Sequence, residues 1–330
     1  MSGAAFYLVA DSRYFLGAVG TINSLRLLGH DEPIHVLDCG LSAAELERLD
    51  GEATIVPGPD DVPPCLLKTV APLRHPADVM VLIDADIIVT RSLSELIDRA
   101  AAGRVLAFKD DEDRFFGEQW GEVLGTAVPD RLPYVSSSLV VLGGPEGRRV
   151  AQGMDDLQPK LDLDGSPFSS RIPDSEFFRG DFAAAAAAHP FTFPEQDLLN
   201  AILAARLEPG AVEVLGRRLE ATPPFEGIRL VDERRLRCAY ADGTEPYALH
   251  HYAIKPWLEP ARHGVYSKLL SRLLRGDDVA VSANDAELPR RLRSGPLAWL
   301  DRTRVDLGET LHWHVREPLA SRLRGRSGGG

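Results

Sequence analysis

The chain has 330 residues, 44% hydrophobic and 26% charged, the balance of a globular protein with room for a sizeable core. Its formal net charge of −12 at pH 7 excludes general nucleic-acid binding, which needs a basic field. Cys39, Cys65 and Cys238 are scattered without zinc or redox spacing, so a reducing, cytoplasmic setting is expected. The apolar stretch at residues 4–10 has no basic residues before it and is broken by Asp11 and Arg13. A signal peptide is therefore not expected, and no apolar run is long enough to span a bilayer.

In chain order, residues 6–10 predict a buried strand and residues 16–28 a helix. Residues 34–37 predict a second strand. Ser42-Ala43-Ala44-Glu45 is a capping-box pattern opening a helix to about residue 49. A short strand at 54–56 ends in a Pro/Gly-rich loop, and a helix is expected over 66–73. Residues 79–83, Val-Met-Val-Leu-Ile, are an unbroken apolar run, the pattern of a strand buried on both faces of a parallel sheet. Ser92-Leu93-Ser94-Glu95 is a second capping-box pattern, and a strand follows at 105–108. This β-α alternation over about a hundred residues predicts an α/β layered sheet. Beyond it, strands are expected at 139–142, 212–215 and 248–252, and helices at 147–161 and 198–205. The alanine run at 183–188 reads equally as a short helix or as linker. From residue 259 the pattern changes to helical segments rich in Leu and Arg, ending in a tail expected to be disordered.

The strand at 79–83 runs straight into Asp84-Ala85-Asp86. In such sheets the ligand crevice lies beyond the carboxyl ends of the strands, so two carboxylates arrive where a ligand would bind. Paired oxygens suit a hard divalent cation, Mn²⁺ or Mg²⁺, and such a cation commonly holds a diphosphate. The same Asp-x-Asp spacing recurs at Asp111/Asp113 and Asp162/Asp164, but in polar surroundings that read as solvated loops. His250 and His251, at the end of a predicted strand, could complete a metal site. Lys255 a few residues on could neutralise phosphate as a point charge. Glu195-Gln196-Asp197 near a helix start could grip a hydroxyl-rich ligand, although acidic residues there also suit the helix macrodipole. Lys68 lies sixteen residues before Asp84.

Together these segments resemble the family 8 glycosyltransferases, over roughly residues 5–257. Ile83-Asp84-Ala85-Asp86 is similar to that family's Asp-x-Asp (DXD) metal motif, and Lys68 to its upstream basic residue. Tyr134–Leu142 resembles its Tyr-Phe-Asn-Ser-Gly strand, with Ser136 in place of Asn and Ser138 in place of Gly. Glu195-Gln196-Asp197-Leu198-Leu199-Asn200 resembles Asp-Gln-Asp-x-Leu-Asn. His250 or His251 with Lys255-Pro256-Trp257 resembles the last donor-binding motif, at shortened spacing. Ala10-Asp11 and Asn23-Ser24-Leu25 fit the nucleoside edge.

The resemblance implies a GT-A fold, a Rossmann-like mixed sheet flanked by helices, over residues 1–258. A helical C-terminal extension would fill 259–330. It implies a metal-dependent retaining transferase that moves a sugar from a nucleotide diphosphate sugar, a UDP-sugar, to a carbohydrate or other hydroxyl acceptor. It places the Mn²⁺ (or Mg²⁺) ligands at Asp84, Asp86 and His250 or His251. It places donor contacts at Ala10, Asp11, Lys68, Asp84, Ala85, Ser136 and Lys255, and catalytic groups at Glu195 and Gln196. Two alternatives stay open. One is a haloacid-dehalogenase-type phosphohydrolase with Asp84 as nucleophile; the other is a non-catalytic sugar-nucleotide binding protein. The leucines at 269, 270, 273 and 274 have helical spacing with basic flanks. They suit packing on the catalytic domain, self-association, or a weak peripheral membrane contact.

Overall fold

The structure, a computed structural model, describes residues 3–60, 62–161, 189–252 and 264–283, with positions 163, 255, 257, 288, 289, 292, 293, 296 and 300 besides. Asp162/Asp164, the alanine run at 183–188 and the C-terminal tail lie outside the described residues.

Among the described residues, seven strands form one sheet. β1 (Ala4–Ala10), β2 (Ile34–Asp38), β3 (Thr54–Pro57) and β4 (Val79–Ile83) pair in parallel. After a short β5 (Ile87–Val89), β6 (Val105–Lys109), β7 (Val135–Gly143) and β8 (Val212–Leu215) complete the order β3-β2-β1-β4-β7-β6-β8. β7 runs antiparallel to both its neighbours, β4 and β6. The expected mixed α/β sheet flanked by helices is what the chain forms. Every residue of β4 and of β7 is buried, in keeping with the unbroken apolar runs at 79–83 and 139–142; the three serines at 136–138 lie at the start of β7, beside the candidate site.

One face of the sheet carries α1 (Phe15–Leu27), α2 (Ala43–Leu49) and α4 (Ser94–Ala101). The other carries α3 (Val70–Arg74), α5 (Gly117–Leu124), α6 (Gly144–Leu157) and α7 (Pro194–Arg206). A small second sheet sets β12 (Ala248–His250) between β5, antiparallel, and β9 (Glu220–Ala221), parallel. β10 (Arg229–Asp232) and β11 (Arg237–Ala239) form a separate antiparallel pair.

Several local expectations are corrected. The capping box at Ser42 forms, with Ser42 and Glu45 each bonding the other's backbone N–H. The one at Ser92 does not. Its hydroxyl contacts His30 and Ser94, while Glu95 pairs with Arg91 and accepts from Tyr247, so α4 begins uncapped at Ser94. The helix expected over 66–73 is a 3-10 turn, Pro64–Leu67, followed by α3; Lys68 stands at the junction. The strand expected at 248–252 stops at His250.

α1 is buried almost all round, between the sheet and a further helix, α8 (Val265–Arg275). Leu269, Leu270, Leu273 and Leu274 of α8 are all fully buried in the same core, so that apolar face is already covered by the chain itself. Asn23 of α1 fixes the junction. Its Nδ2 donates to Leu273 O (2.8 Å) and Val281 O (2.7 Å), and its Oδ1 accepts from Val281 N (2.8 Å). Asn23 is thus a buried staple and does not lie at a ligand edge. Replacing it with leucine strands three buried backbone groups, at about 1–3 kcal/mol each. Amide exchange across residues 276–283 should accelerate by at least about tenfold, the factor that about 1.4 kcal/mol represents. Unchanged exchange there would refute this role. Among the described residues no helix is long and apolar enough to cross a membrane.

Candidate active site

The carboxyl ends of β1, β4 and β6 meet the start of β7 along one edge of the sheet, because β7 runs the other way. Ile83 is paired with Leu139, so Asp84 emerges beside Ser136, Ser137 and Ser138. Asp84 N donates to Ser138 O at 2.8 Å. The turn at residues 84–86 then leads into β5, whose outer neighbour β12 ends at His250. Gly17 of α1 presses on this turn. A Cβ there would lie 2.2 Å from Ala85 O, so only glycine allows the approach.

Three side chains converge. Donor atoms of Asp84, Asp86 and His250 all lie within 4.8 Å of one another, a set that could hold a cation. His250 Nε2 is 3.4 Å from Asp86 Oδ1. That oxygen is fully buried and accepts no hydrogen bond from the described residues. A buried carboxylate oxygen beside an imidazole nitrogen and a second carboxylate is a donor set that fits Mn²⁺ or Mg²⁺. His251 points elsewhere. Its ring packs edge-on against Tyr266 at 4.9 Å and near Phe225 at 5.8 Å. Burial first, then Lys255, lowers its pKa to about 4.

Two lysines flank the three. Lys68 Nζ lies 2.6 Å from Asp84 Oδ1, also pairs with Glu195, and donates to Ser137 O at 3.2 Å. Burial works against its charge, but Asp84 and Glu195 outweigh this and hold its pKa above the ordinary lysine value. Lys255 pairs with Asp86 and donates to His251 O. For Asp86 burial is again the largest influence; Lys255 and His250 overcome it and hold the carboxyl well below the usual range. Asp84 goes the other way: burial raises it, with Lys68 opposing. Trp257 anchors the lysine's segment by donating from Nε1 to Arg13 O (2.7 Å).

The Glu195–Asn200 segment divides its labour. Glu195 and Gln196 face the site. Gln196 Oε1 accepts from Ser137 N (3.1 Å) and Ser137 Oγ (3.3 Å), and its Nε2 donates to Asp110 Oδ2 (3.3 Å). Asp197 faces the core, bound by Arg114 and by Tyr134 OH. Asn200 pairs with Val135 like a peptide group, accepting from its N–H and donating to its C=O, each at 2.8 Å. These two residues hold α7 to β7.

The remaining candidates lie at the same edge. Ala10 is buried, with its carbonyl accepting from Cys39 N (2.9 Å). Asp11 closes the turn ahead of α1, its Oδ1 accepting from Arg13 N (2.9 Å) and Tyr14 N (3.0 Å). Ser136 Oγ contacts Ser138 Oγ at 2.5 Å.

Two site residues escaped the sequence reading. Asp110, at the end of β6, reaches Gln196 while its neighbour Asp111 pairs with Arg217. Glu220, on β9, is 3% exposed, accepts from Ser138 Oγ and faces His250. Burial pushes Glu220 up to about 7, with His250 opposing. Asp110 carried a signal, since it follows an apolar strand as Asp84 does. Glu220 carried none.

No protein-family model matches the sequence, and neither does any curated protein. Solved structures do align. The chain is similar to the galactosyltransferase LgtC in complex with donor and acceptor sugar analogs, at 17% identity and TM-score 0.47, over 83% of this chain and 98% of that one. An active-site mutant of LgtC aligns at 15% identity and TM-score 0.49, over 90% and 99%. The bifunctional glycosyltransferase WbbM aligns at 16% identity and TM-score 0.48, over 83% of this chain and 50% of that one.

Proposed function

We propose that this chain is a metal-dependent glycosyltransferase that moves a sugar, with retention, from a nucleotide diphosphate sugar to a hydroxyl acceptor. The observation that carries the reading is the convergence of Asp84, Asp86 and His250 at the carboxyl edge of the sheet, flanked by Lys68 and Lys255. Two carboxylates and an imidazole would hold Mn²⁺ or Mg²⁺. When bound, the ion supplies positive charge to the diphosphate as it departs. Lys68 and Lys255 add fixed positive charge on either side of the same place. Glu195 and Gln196 stand next to Lys68 and Asp110, on the side of the site facing β7 and β6, and are assigned to the transferred sugar. A UDP-sugar as donor is what the resemblance of the sequence segments to the family 8 glycosyltransferases implies.

The test is release of nucleoside diphosphate from a panel of nucleotide sugars with Mn²⁺, repeated with a chelator. Release from a UDP-sugar that stops on chelation is the expected result. Equal donor affinity by calorimetry with and without chelator would sink the metal requirement. Hydrolysis of a generic aryl phosphate, lost in Asp84→Asn, would instead identify a phosphohydrolase.

A further inference from the structure

We propose that Glu220 is a positioning residue for this cation site. Its carboxylate takes the Nδ1–H of His250 and so presents the Nε2 lone pair toward Asp84 and Asp86. The inference rests on the reading of those three residues as a cation site and adds to it a residue that no sequence motif marks.

The register of the small sheet sets up the arrangement. Glu220 on β9 is paired with Ala248 on β12. Side chains alternate along a strand, so Ala248 and His250 share a face, and Glu220 lies on that face diagonal to the histidine. The imidazole is strung between two carboxylates, one for each nitrogen. Nε2 is 3.4 Å from Asp86 Oδ1, and Nδ1 is 3.6 Å from Glu220 Oε1. The second distance is a few tenths of an ångström beyond a hydrogen bond; such contacts in active sites commonly tighten when the site is filled.

Core packing does not ask for a glutamate here. A carboxylate has about four acceptor positions, and a buried one is costly unless they are used. Ser138 Oγ is the donor it has among the described residues, which leaves room for an imidazole N–H. Ser138 also supplies the carbonyl that accepts Asp84 N. The acceptor for His250 and the backbone of Asp84 are therefore tied to one residue of β7.

A neutral imidazole carries one N–H and one lone pair, and a cation takes the lone pair. With an acceptor fixed at Nδ1, the tautomer with its lone pair on Nε2 is favoured and the ring is held in orientation. Removal of such partners typically costs 10–100-fold in metal affinity.

The experiment measures Mn²⁺ affinity of the full chain by calorimetry for wild type, Glu220→Ala and Glu220→Gln, with thermal melts alongside. Glu220→Ala should bind Mn²⁺ about 10–100-fold more weakly. Glu220→Gln keeps a carbonyl oxygen that accepts the N–H and should stay within a few-fold of wild type. In the Zn²⁺-saturated wild type, ¹⁵N NMR should find the proton of His250 on Nδ1 and the metal on Nε2. If Glu220→Ala fails to fold, the glutamine variant and this spectrum still decide. Mn²⁺ binding that ignores Glu220, or metal on Nδ1, would overturn the inference alone. A wild-type chain that binds no Mn²⁺ would overturn the cation reading with it.

Discussion

Replacing Arg114 with alanine is expected to destabilise the fold by about 3–5 kcal/mol, the cost of removing one partner from a buried ion pair. Arg114 holds Asp197 with two bonds, Nε to Oδ1 at 3.0 Å and Nη2 to Oδ2 at 3.2 Å. It also donates to His189 O at 2.8 Å and lies over the rings of Phe116 and Phe193. Asp197 is fully buried and further bonded by Tyr134 OH (2.7 Å) and Phe193 N (2.9 Å). Burial already raises the Asp197 pKa while Arg114 opposes. Without the arginine it should rise further, so the folded variant would bind more protons than its unfolded chain. Stability then falls as pH rises through that interval, and mild acid should restore part of it. Urea titrations of the variant across the carboxylate range check both claims; a midpoint equal to wild type at neutral pH would contradict the first.

The second large effect separates two neighbouring carboxylates. On the proposed function, Asp84→Asn and Asp86→Asn should each lower donor turnover by at least about 100-fold, because each removes charge from the group proposed to hold the cation. Their stabilities should differ. Asp86 is nearly buried and pairs with Lys255, which is itself buried, so Asp86→Asn leaves an ammonium without its counter-charge. Asp84 is more open, with 27% of its side chain exposed, and its partner Lys68 keeps Glu195 when Asp84 is neutralised. The metal-free melting temperature should therefore fall clearly for Asp86→Asn and little for Asp84→Asn. Identical melts would mean that Lys255 finds another partner.

The strand at 79–83 and its two carboxylates were legible because an apolar run ending in Asp-Ala-Asp has few other uses. The depth of each carboxylate was not, since it depends on which lysine closes over it. Asp197 and Asn200 illustrate the opposite limit. In sequence they belong with Glu195 and Gln196, but Asp197 turns to Arg114 and Tyr134, and Asn200, one helical turn on from Gln196, is taken up by the backbone of Val135. In place of the Ser92 box, the Ser92 hydroxyl accepts from Ser94 N and lies beside Nε2 of His30, 62 residues away in sequence, which itself accepts from Leu93 N. Glu220 sits in a two-residue strand with no periodicity to read. Its role comes entirely from a pairing with β12 that local pattern cannot show.

The contacts of Asn23 with Leu273 and Val281 span 250 and 258 positions. Among the described residues one side of α1 is covered by α8, a helix made long after it. A ribosome adding about 5–20 residues per second would leave that side uncovered for about 12–50 seconds. During this interval the buried face of α1 is a hydrophobic surface without its cover, and aggregation competes with completion of the fold. Lys255 emerges 169 positions after Asp86, so the buried carboxylate waits for its counter-charge over about two thirds of that interval. The edge of the sheet that carries Asp84, Asp86 and His250 is thus completed well after its strands β1 and β4 have been made.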